Sequence, residues 1–245
     1  MELSLYTQTG DFSEALAKGK HVVVVDVLRA SSTIVHAIEN GIERIIPVAQ
    51  VEDATRLIPT LDRKKTLLGG ERDGLMVDGF DLGNSPLEYV SGTVRDKTLV
   101  FSTSNGTVAI ARSAAAKQIL VGCFLNLSAV VKHLVCSRAK KVVILCAGNL
   151  GQLSLEDFVC GGLLVDGIAE SSRARTTLND GAVAACTLAS ALDDVGSVAR
   201  TSSHGRLLAE LGFGEDLEFC SRIDRYNTVP VVEDGRISRK NTIGL

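Results

Sequence analysis

His21-Val-Val-Val-Val-Asp26-Val-Leu-Arg29-Ala-Ser31-Ser32-Thr33 is the stretch whose reading decides the fold. Val22 to Val25 form a continuous β-branched run, the pattern of a strand buried on both faces of a parallel sheet. After it, Ile34, Val35, Ala37 and Ile38 recur at helical spacing over Ser31 to Asn40, and Asn40-Gly41 closes the helix. Ile45 to Val48 restarts a strand, so the unit reads as a right-handed βαβ crossover. The same pattern, an apolar run opening into polar residues, returns at Lys97 to Thr107 (KTLVFSTSNGT) and Lys140 to Asp157 (KKVVILCAGNLGQLSLED). In open α/β sheets ligands collect beyond the carboxyl ends of strands, where helix N-termini present N–H groups. Three such ends could build one anion site.

Outward from these runs, strands are expected at Thr66–Leu68, Leu99–Phe101, Ile119–Val121 and Val142–Leu145, with helices over Val51–Leu61, Gly106–Ala116, Leu155–Ala169, Asp180–Leu192 and Gly205–Leu211. Val229–Val232 and Arg236–Ser238 flank Asp234-Gly235, a hairpin turn signal. The fold class is α/β: a layered α/β/α arrangement with a mostly parallel or mixed sheet of about six strands, plus a C-terminal β-hairpin. The 245 residues (1–245) read as a single domain with ample core.

The net charge of -3 and 4% aromatics without Trp supply neither a basic field nor stacking platforms, so no nucleic-acid partner is expected. No membrane span is expected either, because no window reaches about 18 uninterrupted apolar residues. Six scattered cysteines without a CxxC pair read as reduced thiols of a cytoplasmic protein. Apolar helices such as Gly181–Leu192 could supply a symmetric interface, with a homodimer as the default.

Asp26 ends the first run where a carboxylate can hold Mg²⁺, while Arg29 and the helix start carrying Ser31, Ser32 and Thr33 hold phosphate oxygens. The bland alternative is a capped turn. Gly69 to Pro86 (GGERDGLMVDGFDLGNSP) is long for a loop in a compact domain and reads as an ordered site loop. In it, Gly70 allows close ligand approach, Glu71, Arg72 and Asn84 carry the chemistry, and Asp73 and Asp78 read as solvated. Ser104, Asn105, Gly106 and Thr107 could line an oxyanion nest or be a plain N-cap loop; Asn126 holds the equivalent place after another strand. Glu156 and Asp157 sit at a helix start, where Ser154 and Asp157 resemble a capping box. Their carboxylates, with Asp26 and Glu71, would also suit Mg²⁺. His204 has loop surroundings suited to proton transfer or to a surface cap.

No P-loop, GxGxxG, HExxH or Cys-x₅-Arg signature is present. The residue two beyond Asp26 is Leu28, so the second acid of haloacid dehalogenase phosphatases is missing. DVLRASST (26–33), LLGGERDG (67–74), GFDLGNSPLEY (79–89), STSNGT (102–107), LCAG (145–148) with SLEDF (154–158), and SSHGR (202–206) together resemble the 2-phosphosulfolactate phosphatase family from about Val22 to Val232. The resemblance implies a Mg²⁺-dependent hydrolase that removes phosphate from 2-phospho-3-sulfolactate on the route to coenzyme M. Its substrate carries phosphate, carboxylate and sulfonate. Arg29, Ser31 and Ser32 would grip the phosphoryl group, Arg72 and the 103–107 loop the other anions, and His204 would protonate the leaving oxygen. Water attack and a phosphoenzyme on Asp26 or Ser31 both remain open, as do another phosphorylated 2-hydroxy acid as substrate and a non-catalytic anion-binding module.

Overall fold

The computed structural model describes residues 1–10, 12–172 and 175–239. Its strands are β1 (Glu2–Tyr6), β2 (His21–Val25), β3 (Arg44–Pro47), β4 (Thr66–Arg72), β5 (Leu75–Met76), β6 (Thr98–Ser102), β7 (Gln118–Gly122), β8 (Lys141–Cys146), β9 (Thr177–Leu178), β10 (Pro230–Glu233) and β11 (Arg236–Arg239). They form a mixed 11-stranded sheet in the order β5-β4-β6-β3-β11-β10-β7-β2-β8-β1-β9, larger than the six strands expected. The additions are β1, whose buried Leu3 and Leu5 alternate with more exposed residues, and the two-residue strands β5 and β9.

β2 is what its sequence promised. Every residue is buried, Val23 and Val25 joining the core on one face and Val22 and Val24 the core on the other. Burial of each such side chain is worth about 1.5–3 kcal/mol, so this central strand is fixed in place. The helix Ala30–Glu39 covers one face with Ile34, Ala37 and Ile38, and Leu155–Ser171 covers the other with Val159, Leu164 and Ile168.

The C-terminal hairpin turns at Asp234 and Gly235, both with positive φ, as the Asp-Gly signal requires. It is no appendage, however: β10 pairs antiparallel with β7 (Val231 opposite Leu120) and β11 with β3 (Ile237 opposite Ile45). The hairpin thus joins two parallel blocks, one of β7, β2, β8, β1 and β9, the other of β3, β6 and β4, which run in opposite senses. The expected βαβ crossover from β2 to β3 is therefore corrected, because these strands are neither neighbours nor parallel.

In a flat sheet β6, five places from β2, would end roughly 24 Å away and on the opposite edge. Yet a Cβ added to Gly106, just beyond β6, would lie 2.7 Å from Asp26 Oδ2. The sheet is therefore far from flat, and the loops beyond its two sets of carboxyl ends come together. The site lies where they meet.

GGER is the end of β4 rather than the start of a loop, since β4 continues to Arg72 and turns through Asp73 and Gly74 into β5. The remaining loop is stitched back onto β4, with Asp81 and Leu82 N–H donating to the Leu68 carbonyl and Gly70 N–H to those of Leu82 and Gly83. Gly70 has φ 142, and a Cβ there would collide with the Ser102 carbonyl, so β4 and β6 approach this closely only with glycine at that position.

Candidate active site

Four carboxylates reach this junction, and each is nearly inaccessible. Asp26, at the end of β2, accepts from Ala30 N–H at 3.2 Å through Oδ1. Glu71, at the end of β4, accepts from Ser104 N–H at 2.8 Å and Gly74 N–H at 2.9 Å, joining the β4 turn to the loop after β6. Asp157 accepts from Val27 N–H at 2.7 Å and Gly148 N–H at 3.2 Å, tying together the segments that leave β2 and β8. Ser154 makes no side-chain cap bond, so the capping-box geometry does not form.

Glu156 is different. It is 1% exposed, and neither carboxylate oxygen has a hydrogen-bond partner; the nearest basic group is His204 Nδ1, 3.7 Å from Oε1. Burial, with Glu71 and Glu156 adding repulsion, pushes Asp26 up to about 7. Burial and the charges of Asp26 and Glu156 push Asp157 well above the usual carboxylate range. Burial also lowers His204, against the opposing pull of Glu156 and Glu71. A buried carboxylate with two orphan oxygens beside acids that resist ionisation has the charge balance of a site built around a cation. Among the described residues no three His, Cys, Asp or Glu side chains form a ready-made cluster. Mg²⁺ suits such a site, because it keeps several waters and is commonly held by one or two carboxylates plus substrate oxygens.

The cleft above these acids has an empty volume of about 550 Å³ including its open mouth, and is lined by Asp26, Leu28, Arg29, Glu71, Asp73, Gly74, Asn84, Ser104, Asn105, Asn149, Leu150, His204 and Leu207. The Asn84 amide oxygen there is buried without a partner. Arg29 follows a cis Leu28–Arg29 peptide. Its Nη1 donates to Asp216 Oδ2 at 2.8 Å, its Nη2 donates to the Gly74 carbonyl at 2.6 Å, and the guanidinium lies 4.1 Å from the Phe213 ring centroid.

Other expected ligand contacts are committed elsewhere. Ser31 Oγ accepts from Asp26 N–H, Ser32 Oγ donates to the Val27 carbonyl, and Thr33 Oγ1 donates to that of Asn84. Arg72 donates to the Glu71 carbonyl at 2.6 Å and Ser102 Oγ at 2.9 Å, fastening β4 to β6 away from the cleft lining. Thr107 and Thr103 exchange side-chain to backbone bonds that close their loop. Asn126 is fully buried, accepting from Cys123 N–H and donating to the Val121 and Thr228 carbonyls. Gly70 and Gly106 serve as gaps, since a Cβ at Gly106 would press on Ala30 Cβ at 2.6 Å as well as on Asp26.

Sequence reasoning passed over Asn149, Asp216 and the cleft position of Asp73. Asn149 follows the Ala147-Gly148 strand end, so the strand-end rule already pointed to it. Asp216 carried no such signal: it lies in the first turn of the helix Gly214–Cys220, where an acid reads as a dipole complement.

Residues 8–235 match the family described as 2-phosphosulpholactate phosphatase. The chain is 38% identical over 239 residues to a probable 2-phosphosulfolactate phosphatase of Clostridium novyi, covering 98% of this chain and 100% of that protein. The chain belongs to this phosphatase family. A probable 2-phosphosulfolactate phosphatase of Thermotoga petrophila is 41% identical over 215 residues (87% of this chain, 89% of that one), and one of Caldanaerobacter subterraneus is 37% identical over 236 residues (96% and 97%). The family match encloses Asp26, Glu71, Glu156, Asp157, His204 and Asp216, so the whole carboxylate junction lies within the phosphatase region. Among the described residues no helix is long and apolar enough to cross a membrane.

Proposed function

We propose that the protein is a Mg²⁺-dependent phosphoric monoester hydrolase that converts 2-phospho-3-sulfolactate to 3-sulfolactate and phosphate, on the route to coenzyme M. The observation that carries this reading is Glu156, buried with both oxygens unpartnered beside Asp26, in a chain of this family. Glu156 and Asp26 would hold the metal, with Glu71 and Asp157 completing its negative surroundings while they brace the loops. Bound there, Mg²⁺ supplies a Lewis acid that neutralises phosphoryl charge and lowers the pKa of water.

This chain's own residues do the rest. Arg29 holds phosphoryl oxygens through its remaining N–H groups, offering a planar donor set in a cleft with few cations. Asn84, Ser104, Asn105 and Asn149 give neutral polar contacts for the substrate's other anionic groups. His204 is held below its ordinary pKa in the ligand-free protein; the arriving negative charge draws it toward protonation, and that proton goes to the departing hydroxy-acid oxygen. Leu28, Leu150 and Leu207 border the cleft and reduce its water. Ser31 is a poor candidate for a covalent intermediate, because its hydroxyl is buried against the Asp26 and Val24 backbone.

The same reading places the enzyme in the cytoplasm, consistent with six free thiols, as a homodimer of single-domain subunits. The test is phosphate release from phosphosulfolactate and from phospholactate, each with EDTA and with Mg²⁺ restored. Hydrolysis of phosphosulfolactate that EDTA abolishes and Mg²⁺ restores is expected. Equal efficiency on phospholactate would remove the sulfonate from the assignment, and binding without metal-dependent release would leave only an anion-binding module.

A further inference from the structure

Asp216 has no place in the chemistry described so far, yet it is 2% exposed and both of its oxygens meet groups from distant segments. Oδ2 accepts from Arg29 Nη1 at 2.8 Å, and Oδ1 accepts from Ser85 Oγ at 2.6 Å. Ser85 belongs to the loop that is stitched to β4, and Gly74, whose carbonyl takes Arg29 Nη2, is the turn between β4 and β5. Phe213, three residues before Asp216, lies 4.1 Å from the guanidinium carbon. Arg29 is therefore gripped along two of its edges and over one face, by Asp216, by Phe213 and by Gly74, whose own N–H holds the Glu71 carboxylate.

An unanchored arginine side chain samples many rotamers, and fixing it on substrate binding costs free energy that a preset geometry avoids. A guanidinium has five N–H donors, and two of its nitrogens are engaged here, leaving further donors directed along edges that the clamp determines. We propose that Asp216 is a positioning residue of the hydrolysis: acting through Arg29, and supported by Ser85 and Phe213, it fixes the guanidinium where phosphoryl charge develops in the transition state. This rests on the reading that Arg29 holds the phosphoryl group. The clamp also makes the order of the glycine-rich loop and the aim of Arg29 one property, since Ser85 and Arg29 share a single carboxylate.

The experiment is a kinetic double-mutant cycle on the full-length protein with R29M, D216N and R29M/D216N. It measures kcat/KM for phosphosulfolactate and the inhibition constant of orthovanadate, which mimics the five-coordinate phosphoryl group. Misaiming a positioned group by an ångström costs on the order of 10²-fold. D216N should lower kcat/KM by that order in the wild-type background and weaken vanadate by a matching factor. In the R29M background it should change either by less than about twofold, because coupled residues are not additive. Wild-type efficiency in R29M would reject the role of Arg29 itself. An impaired R29M beside a folded D216N with wild-type efficiency and vanadate affinity would overturn the positioning role alone, as would a D216N penalty of equal size in both backgrounds. Should D216N fail to fold, S85A and F213L leave the Arg29–Asp216 pair in place and decide the matter. Each should weaken vanadate several-fold with Arg29 present and have no effect in R29M; no weakening in either background overturns the proposal.

Discussion

Glu156→Gln separates a metal ligand from a helix-capping acid by the sign of its effect. The substitution keeps the side chain's size and removes one charge from a place where neither oxygen is hydrogen-bonded and His204, 3.7 Å away, is held below its ordinary pKa by burial. Leaving a charge buried without a partner costs several kcal/mol. Gln in the same place still carries an unsatisfied amide costing about 1–3 kcal/mol, so the net gain without metal is about 1–3 kcal/mol. The lost dipole complement opposes this by only about 0.3–1 kcal/mol. For a chain of this length, about 2–4 °C per kcal/mol applies, so the balance, at most about 2.7 kcal/mol, should raise the E156Q unfolding temperature in EDTA by up to roughly 11 °C. With Mg²⁺ at about a hundred times its Kd the wild type gains about 2.7 kcal/mol that E156Q lacks. The two proteins should therefore exchange rank when metal is added, and phosphate release by E156Q should fall at least about 10²-fold. Calorimetry in EDTA and in Mg²⁺ is the assay. A variant destabilised in EDTA with an intact Mg²⁺ response would make Glu156 an ordinary first-turn acid and refute the reasoning.

Asp26, raised from an ordinary 3.8 to about 7, gives a pH signature. Between those values the folded metal-free protein holds a proton that the unfolded chain has released, so its stability falls as pH rises through that window and returns on acidification. Because Mg²⁺ must displace that proton, its affinity should drop about tenfold per pH unit below 7, measurable by isothermal titration; a flat profile would show that Asp26 does not bind the metal. Asn126→Ala leaves Cys123 N–H and the Val121 and Thr228 carbonyls without their partner. It should cost roughly 2–4 kcal/mol in urea unfolding with kcat/KM of the folded enzyme unchanged, whereas a raised KM would restore Asn126 to the binding site. Gly70→Ala forces β4 from β6 at the Ser102 carbonyl and should cost about 1–3 kcal/mol together with most activity, since Glu71 is the next residue; full activity would mean that the close approach is dispensable.

β2 and Asp26 were legible because both rest on local pattern: four valines buried on two faces leave a strand no other identity, and the residue after it must emerge at the carboxyl end. The Asp-Gly turn was legible for the same reason. What escaped depends on partners far along the chain. GGER reads as loop because glycine is poor in strands, but here the glycine admits the Ser102 carbonyl of a neighbouring strand. The insertion of β10 and β11 between β7 and β3 has no local signal, and with it went the relative sense of the two parallel blocks. Arg29 lines the cleft, while Arg72, one residue from Glu71, turns away to the Glu71 carbonyl and Ser102 Oγ. Asp26, Glu156 and Asp157 were singled out by strand-end position and Glu71 by the glycine-rich loop; that Glu156 is the unpartnered one, and Asp157 the brace, is visible only in their hydrogen bonds.

The location of the metal can be observed without any turnover, by anomalous diffraction from crystals grown with Mn²⁺ in place of Mg²⁺. A single strong peak within bonding distance of Glu156 and Asp26 carboxylate oxygens, absent in E156Q crystals, is the predicted result. A peak elsewhere, with both Glu156 oxygens still unpartnered, would contradict the account.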